Sequence, residues 1–291
     1  VSKKTTVYCN ESGNYAIFQS DRHGFNNPDP EWDSPQTEWA LTGDSFIQGA
    51  CVQPGEGIAG QVRSITGESV LNLGNGGNGP LTELGVLKEY AELRKPKNVI
   101  WAYYEGNDMS DLEREALNPL LMSYLRPKFS QNLIRRQTEI DSQINKYIMG
   151  AEREHSPISQ IKLLHLPNIR QQIGFNGPVE PLFIEVLTKA RDRVAAWGGK
   201  LYFVYLPEFM RYSRKALNHD WLRKRGEIIK IARKLNLSVI DIHQEVFENH
   251  PDPLSLFPFR QRGHYTTEGY SEVAQAIVLG VGNEQKAELY K

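Results

Sequence analysis

The 291-residue sequence has little of several features that identify a protein class at once. It contains two cysteines, Cys9 and Cys51, which are too few for a disulfide-dense scaffold or for a zinc site built from cysteines. The two are able to form a single bridge, but we expect two unpaired thiols. The formal net charge is −1, so no overall field attracts nucleic acid or a membrane surface. No apolar run reaches the length of a membrane-spanning helix, so no membrane span is expected.

The beginning of the chain has no secretory signal pattern. It starts at Val1-Ser2-Lys3 without methionine, so we leave the location open; if this start is trimmed, we expect an exported or a periplasmic protein. Residues 1–38 are predicted to be an irregular lead-in because turn-forming residues cluster at 26–30. The remainder, 39–291, is predicted to be one domain. No pattern indicates an oligomeric state.

Alternating apolar runs and helical patterns dominate residues 39–291. The runs are short, rich in branched and aromatic side chains and nearly uninterrupted, as in parallel strands that are covered on both faces. The predicted strands cover residues 39–43, 69–73, 98–104, 200–205 and 237–241. The predicted helices between and after them cover residues 80–95, 180–197, 213–235 and 267–280. This alternation predicts an α/β fold with a parallel five-stranded sheet and helices on both faces.

The segment 111–179 interrupts this alternation because it is too long for one crossover between strands. It contains helical stretches separated by prolines, so we interpret it as a helical insertion. Two roles stay open for it: a cap over a functional site, or a structural elaboration packed elsewhere.

Gly43-Asp44-Ser45 follows the first predicted strand directly. This position puts a hydroxyl at the carboxyl end of a parallel strand, where ligands and chemistry gather in open α/β sheets. The following residues are able to start a helix, so Ser45 is expected at a helix N-terminus. The tripeptide alone is a common turn sequence, so it indicates a functional site only in combination with other motifs of the chain.

A glycine-rich loop, residues 74–79, follows the second predicted strand. Gly74, Gly76 and Gly79 satisfy the G-x-G-x-x-G pattern of dinucleotide-binding loops, and Glu105 at the tip of the next strand is placed to bind a ribose. That pattern normally follows the first strand of a fold, however. A loop whose backbone N–H groups face a developing oxyanion is the preferred interpretation. A tight turn without function is the third.

The third predicted strand ends in Glu105-Gly106-Asn107-Asp108. An asparagine at a strand tip is able to direct its amide N–H toward the same oxyanion as the glycine loop. Asp108 is expected to cap the helix that begins near Ser110 rather than to take part in chemistry.

His264 lies just before the last predicted helix, which brings it to the sheet edge that carries Ser45. A neutral imidazole there accepts the proton of a serine hydroxyl. His243 competes because Asp241-Ile242-His243 follows the fifth strand and includes its own carboxylate. We prefer His264 for its order along the chain.

These four ordered blocks resemble those of the SGNH (GDSL-type) hydrolases, from Trp39 to about Leu279, with 111–179 as an added insertion. The resemblance implies a flavodoxin-like three-layer α/β/α sandwich. It implies Ser45 as the nucleophile and as one backbone donor to the oxyanion, with Gly77 as the second backbone donor. It further implies Asn107 as a side-chain donor and His264 as the catalytic histidine.

The sequence departs from the family pattern at the residue that orients the histidine. The family has an aspartate three residues before it, where this chain has Gln261, and Arg262 excludes a D-x-H variant. A glutamine accepts a hydrogen bond from the imidazole but carries no charge to stabilise imidazolium. We therefore consider a Ser-His dyad oriented by Gln261 or a backbone carbonyl, and a carboxylate from elsewhere, with Asp252 as the first candidate and Asp241 as the second.

The resemblance implies an ester hydrolase that needs neither a metal nor an organic cofactor. Its expected substrate is a small-molecule or polysaccharide ester, and we favour the O-acetyl groups of carbohydrates. Two alternatives are an O-acyltransferase that uses the same residues and a catalytically weak binding protein of the same fold. The aromatic candidates for stacking on a sugar ring are Tyr103, Tyr104, Tyr124 and Tyr147.

Overall fold

The structure, a computed structural model, describes residues 1–153, 179–213 and 224–289. Its strands are β1 (Thr5–Val7), β2 (Ile17–Gln19), β3 (Trp39–Thr42), β4 (Val70–Asn72), β5 (Asn98–Tyr104), β6 (Lys200–Leu206) and β7 (Ser238–Asp241). Strands β1 and β2 form an antiparallel hairpin. The other five form a parallel sheet in the order β4-β3-β5-β6-β7, which is the flavodoxin-like order. The predicted parallel five-stranded sheet is confirmed.

Helices alternate with these strands. They are α1 (Ser45–Gln48), α2 (Ile58–Thr66), α3 (Pro80–Val86), α4 (Glu92–Arg94), α5 (Asp108–Glu115), α6 (Pro119–Met122), α7 (Gln137–Arg153), α8 (Val179–Ala196), α9 (Arg225–Lys234) and α10 (Thr267–Leu289). A π-helical turn, Leu87–Ala91, joins α3 to α4 and makes one continuous helix of the predicted segment 80–95. Of the predicted helix 213–235, residues 214–223 lie outside the described residues. In the described part, no helix combines the length and the apolarity that crossing a bilayer requires.

The two faces of the sheet carry separate apolar cores because successive side chains of a strand point to opposite faces. In β5, Val99, Trp101 and Tyr103 belong to the core that contains side chains of α3, α8 and α9. Ile100 and Ala102 belong to the core that contains side chains of α2 and α10. None of these five residues is more than 4% exposed. The predicted three-layer α/β/α sandwich is therefore confirmed.

The N-terminal segment is more ordered than the predicted irregular lead-in. It contains the β1–β2 hairpin, and residues after the hairpin form hydrogen bonds to β4. The buried Asp21 carboxylate accepts hydrogen bonds from the Trp32 indole at 2.7 Å and from the Asn27 amide at 2.9 Å. Asn27 also bonds the backbone of Asn72 in β4 through both ends of its amide. Residues 21–32 are thus packed against the α/β sandwich.

Cys9 and Cys51 form a disulfide bond. The expectation of two unpaired thiols was wrong, because sequence spacing does not reveal which distant segments meet in the fold. The bridge connects the loop between β1 and β2 to the segment that follows α1. It therefore joins the N-terminal hairpin to the edge of the sheet that carries Ser45.

The described part of the segment 111–179 packs against the helix formed by α3 and α4. The Glu89 carboxylate accepts hydrogen bonds from Ser130 Oγ and from the backbone N–H of Leu133. The buried Lys88 ammonium donates to the backbone carbonyls of Tyr124 and Arg126. The two roles left open for this segment, a cap or a structural elaboration, also concern residues 154–178, which lie outside the described residues.

Candidate active site

The candidate site lies at the sheet edge between β3 and β5. The chain passes from β3 to β4 on one side and later returns to β5 on the other, so the strand order reverses here. Crevices at such reversals, outside the carboxyl ends of the strands, bind ligands in open α/β folds. Ser45 follows β3 and Asn107 follows β5 at this edge.

Ser45 and His264 are in direct hydrogen-bond contact. Ser45 is the first residue of α1, and the Asp44 carboxylate caps this helix by accepting from the Phe46 N–H at 2.9 Å. His264 Nε2 lies 2.8 Å from Ser45 Oγ. The Phe46 ring packs against the imidazole with ring centroids 4.8 Å apart. An imidazole held in this way is able to accept the hydroxyl proton.

Glu11 occupies the position on the far side of the imidazole. Its Oε1 lies 3.0 Å from His264 Nδ1, and its Oε2 accepts from the His264 backbone N–H at 2.7 Å. A Cβ on Gly263 would lie 2.6 Å from Glu11 Oε2, so glycine at this position lets the carboxylate approach. Glu11, His264 and Ser45 thus form a continuous hydrogen-bonded chain.

Glu11 carries the charge that Gln261 lacks. Its partial burial raises the pKa of the carboxyl, but hydrogen bonds from the His264 side chain and backbone lower it more, and the net pKa lies below its ordinary value. The carboxylate is therefore ionised at neutral pH and accepts from Nδ1–H, which leaves Nε2 free to take the Ser45 proton. Sequence reasoning missed this residue because it comes from the opposite end of the chain. The pairing of Cys9 with Cys51 was the one signal that could have pointed to this loop.

The candidate carboxylate of Asp252 does not lie next to His264. The Asp252 carboxylate pairs with Arg260, eight positions further along the same loop. The second candidate, Asp241, pairs with Arg225. Both aspartates form an ion pair with an arginine, whereas His264 Nδ1 faces Glu11.

The glycine loop lies beside α1 and leaves one backbone N–H available. The N–H groups of residues 74, 75, 76, 78 and 79 all donate to acceptors in the protein. Gln48 Oε1 accepts from the Gly76 N–H at 2.7 Å, which ties the loop to α1. Gly77 has a φ of +84° and an exposed position, and its N–H has no acceptor among the residues described. This arrangement suits an oxyanion donor.

Asn107 precedes α5, and its side chain hydrogen-bonds the Asp44 carboxylate. This contact holds the amide next to the residue that precedes Ser45, at the same sheet edge as the glycine loop.

Asp108 does not cap the helix as expected. It is fully buried as the first residue of α5 and accepts from the backbone N–H of Tyr104 at 2.9 Å.

Two alternatives from the sequence lose their support. Glu105, the expected ribose ligand of a nucleotide loop, is 5% exposed and bonds the Tyr205 hydroxyl at 2.7 Å and the Arg211 guanidinium. His243, the competing histidine, bonds the Tyr212 hydroxyl through Nδ1 at 2.8 Å.

A group of buried acids lies below the site. Burial raises the pKa of Asp44 to about 6, against opposing hydrogen bonds from Phe46 and Asn107. Burial, together with neighbouring acids, also raises the pKa of Glu83 and of Asp108 well above the ordinary values. These shifts favour the uncharged form of both side chains next to the candidate oxyanion donors.

Neither a protein-family model nor a curated protein matches this sequence. Solved structures do match its fold. A putative lipolytic protein of the G-D-S-L family from Desulfitobacterium hafniense has a TM-score of 0.50 and 12% identity, over 84% of this chain and 99% of its own. The lipase/acylhydrolase from Enterococcus faecalis has a TM-score of 0.50 and 15% identity, over 86% of this chain and 97% of its own. The chain has the fold of GDSL-type (SGNH) hydrolases, as the sequence blocks predicted.

Proposed function

We propose that this protein is a serine ester hydrolase. The observation that carries the proposal is the chain of contacts from Glu11 through His264 to Ser45. A carboxylate, an imidazole and a hydroxyl in this order form the constellation that activates a serine for acyl transfer on several unrelated folds. The position of these three residues at a sheet edge of the kind where ligands bind in open α/β folds supports the proposal.

In the proposed reaction, His264 Nε2 accepts the proton of Ser45 Oγ as that oxygen attacks the acyl carbonyl. The resulting oxyanion accepts hydrogen bonds from the backbone N–H groups of Ser45 and Gly77 and from the Asn107 amide. His264 then returns the proton to the leaving alcohol. A water molecule, activated by the same imidazole, hydrolyses the acyl-enzyme and frees Ser45.

A short acyl group on a large alcohol, such as the O-acetyl group of a carbohydrate, suits the setting of Ser45. Gly77 is exposed, and the His264 side chain is 22% exposed, so the serine opens toward the surface. An open site admits a polymer, whereas a long acyl chain needs an apolar channel.

Among the predicted sugar-stacking aromatics, Tyr104 has the position that suits this role. It is half-buried, and its ring packs against Phe46, the residue after Ser45, with centroids 4.2 Å apart. Tyr103 and Tyr124 are 4% and 3% exposed and belong to the apolar core. Tyr147 is 80% exposed on α7.

The test is hydrolysis of p-nitrophenyl acetate by Ser45→Ala. We expect kcat to fall at least about 10³-fold, because the nucleophile is lost while the fold is kept. Ser64→Ala, which alters an exposed serine on α2, is the matched control and should keep full activity. A Ser45→Ala protein that is folded and fully active would contradict the proposal.

A fluorophosphonate probe separates the enzyme from an inert binding protein of the same fold. The inert alternative rested on the absent aspartate before His264, and Glu11 supplies a carboxylate in its place. We expect labelling at Ser45 that is lost in His264→Ala. Transfer of the acyl group to an added oligosaccharide, in excess of hydrolysis, would identify an O-acyltransferase with the same site residues.

A further inference from the structure

Glu11 is the one member of the candidate site that does not come from the α/β sandwich. It lies in the loop between β1 and β2, a hairpin with only three residue pairs. Around Glu11, residue 10 and residues 12–15 are exposed. Short hairpins are marginally stable by themselves. The position of Glu11 therefore depends on what ties this loop to the rest of the protein.

Ala16 and Phe18 bury their side chains, but few polar contacts in the described residues tie the loop itself to the rest of the protein. Glu11 itself bonds His264, and the Gln53 amide donates to the backbone carbonyl of Tyr15 at 3.0 Å in an exposed position. Hydrogen bonds and ion pairs that are open to solvent hold long side chains weakly. The covalent tie is the Cys9–Cys51 disulfide, which lies two residues before Glu11.

The other end of the disulfide is anchored in the site. Cys51 is 4% exposed and follows Ala50, whose backbone N–H donates to the carbonyl of Ser45 at 3.0 Å. Its Sγ lies 3.6 Å from His264 Nδ1, on the same ring nitrogen that faces Glu11. The bridge thus joins the Glu11 loop to the segment that carries Ser45 and packs beside the imidazole.

We propose that the Cys9–Cys51 disulfide positions Glu11 against His264, so that hydrolysis slows when the disulfide is reduced. This inference rests on the proposed esterase function. In the reductive step, a dithiol gives two electrons and two protons, the S–S bond breaks, and Cys9 and Cys51 become thiols while the dithiol becomes a disulfide. Cys9 is half-buried and Cys51 is 4% exposed, so Cys9 is the more accessible end of the bridge for the reductant.

The expected effect is on kcat rather than on KM. Glu11 acts through His264 and does not touch the substrate, so its displacement should leave substrate binding unchanged. A loss of positioning at a catalytic group lowers the rate by about 10-fold or more. Reduction should lower kcat only when residue 11 is glutamate, because the proposed loss comes from moving the Glu11 carboxylate away from His264.

The experiment compares kcat and KM on p-nitrophenyl acetate for oxidised and dithiothreitol-reduced protein, in wild type and in Glu11→Gln. We expect reduction to lower the kcat of wild type by about 10-fold, with full recovery on reoxidation. The kcat of Glu11→Gln should change little on reduction. A folded Cys9→Ser/Cys51→Ser protein should match reduced wild type and should not respond to dithiothreitol. Circular dichroism checks folding, and reduced wild type still gives the answer if this double variant does not fold.

Full kcat in reduced, folded wild type would overturn the proposal. So would an equal loss on reduction of Glu11→Gln, because the disulfide would then act on the general fold. Fluorophosphonate labelling of Ser45 in the oxidised protein is measured in parallel. If that labelling is absent, the esterase assignment has failed; if it is present without a redox effect on kcat, only the role of the disulfide has failed.

Discussion

Replacing Glu11 by glutamine removes one charge from the candidate site and little volume. The glutamine oxygen is able to accept a hydrogen bond from His264 Nδ1, where Glu11 Oε1 now lies at 3.0 Å. What disappears is the attraction between the carboxylate and the imidazolium that forms when Ser45 gives up its proton, together with the second hydrogen bond, which Glu11 Oε2 accepts from the His264 backbone N–H. We therefore expect kcat to fall while KM changes little.

The size of this effect follows from the distance and the exposure. Two unit charges about 4 Å apart attract by about 1 kcal/mol in water and by about 4 kcal/mol at an effective dielectric constant of about 20. The Glu11 side chain is 29% exposed, which places the pair between these limits. About 2–3 kcal/mol corresponds to a loss of about 10²-fold in kcat. A more deeply buried triad carboxylate has a larger effect, about 10⁴-fold.

The assay is p-nitrophenyl acetate hydrolysis with Asp252→Asn as the matched control. Each variant neutralises one carboxylate in a loop, but Asp252 pairs with Arg260. We expect Asp252→Asn to keep the wild-type rate. Near-normal kcat in Glu11→Gln, or a loss confined to Asp252→Asn, would refute the argument that Glu11 orients His264.

Further predictions concern the glycine loop, the amide donor and the buried acid. Gln48→Ala removes the acceptor of the Gly76 N–H, so the glycine loop loses its hydrogen bond to α1. We expect kcat to fall about 10-fold, with a smaller effect on KM, and unchanged kinetics would contradict this. Asn107→Ala should lower kcat about 10²-fold or more as an oxyanion donor is lost, and a Ser45 that still reacts at the normal rate would exclude that role. Asp44 has a folded pKa of about 6 against an ordinary value of 3.8, so the folded state binds the proton more tightly and stability falls as pH rises between these values. Asp44→Asn should thus have a free energy of unfolding in urea that exceeds that of wild type by up to about 3 kcal/mol at about pH 8. Below about pH 4 the two proteins should be similar. If the substitution leaves the pH dependence of stability unchanged, Asp44 is not a buried carboxylate with a raised pKa.

Much of the fold was predictable because its signals are local. Strands β5 and β6 are continuous runs of branched and aromatic residues, and such runs fit parallel strands that are covered on both faces. The positions of Ser45, Asn107 and His264 followed from the order of strands, since each comes after a strand or before the last helix. The predicted contact between Ser45 and His264 agrees with the geometry, whereas the catalytic roles of both residues stay predictions.

What the sequence could not provide depends on contacts between distant segments. Glu11 lies 253 positions before His264, and no local pattern distinguishes it from other surface glutamates. The same holds for the disulfide, because the spacing of Cys9 and Cys51 does not show that their loops meet. Asp252 was misleading because it is near His264 in sequence, and proximity along a loop does not determine which side chain faces the ring.

Trapping the acyl-enzyme tests the central claim most directly. The protein is acid-quenched during turnover of p-nitrophenyl acetate, digested and analysed by mass spectrometry, with Ser45→Ala treated in parallel. We expect an added acetyl group on the Ser45 peptide, a matching burst of nitrophenol, and neither in Ser45→Ala. An acetyl group on a different residue, or sustained turnover by Ser45→Ala, would show that Ser45 is not the nucleophile.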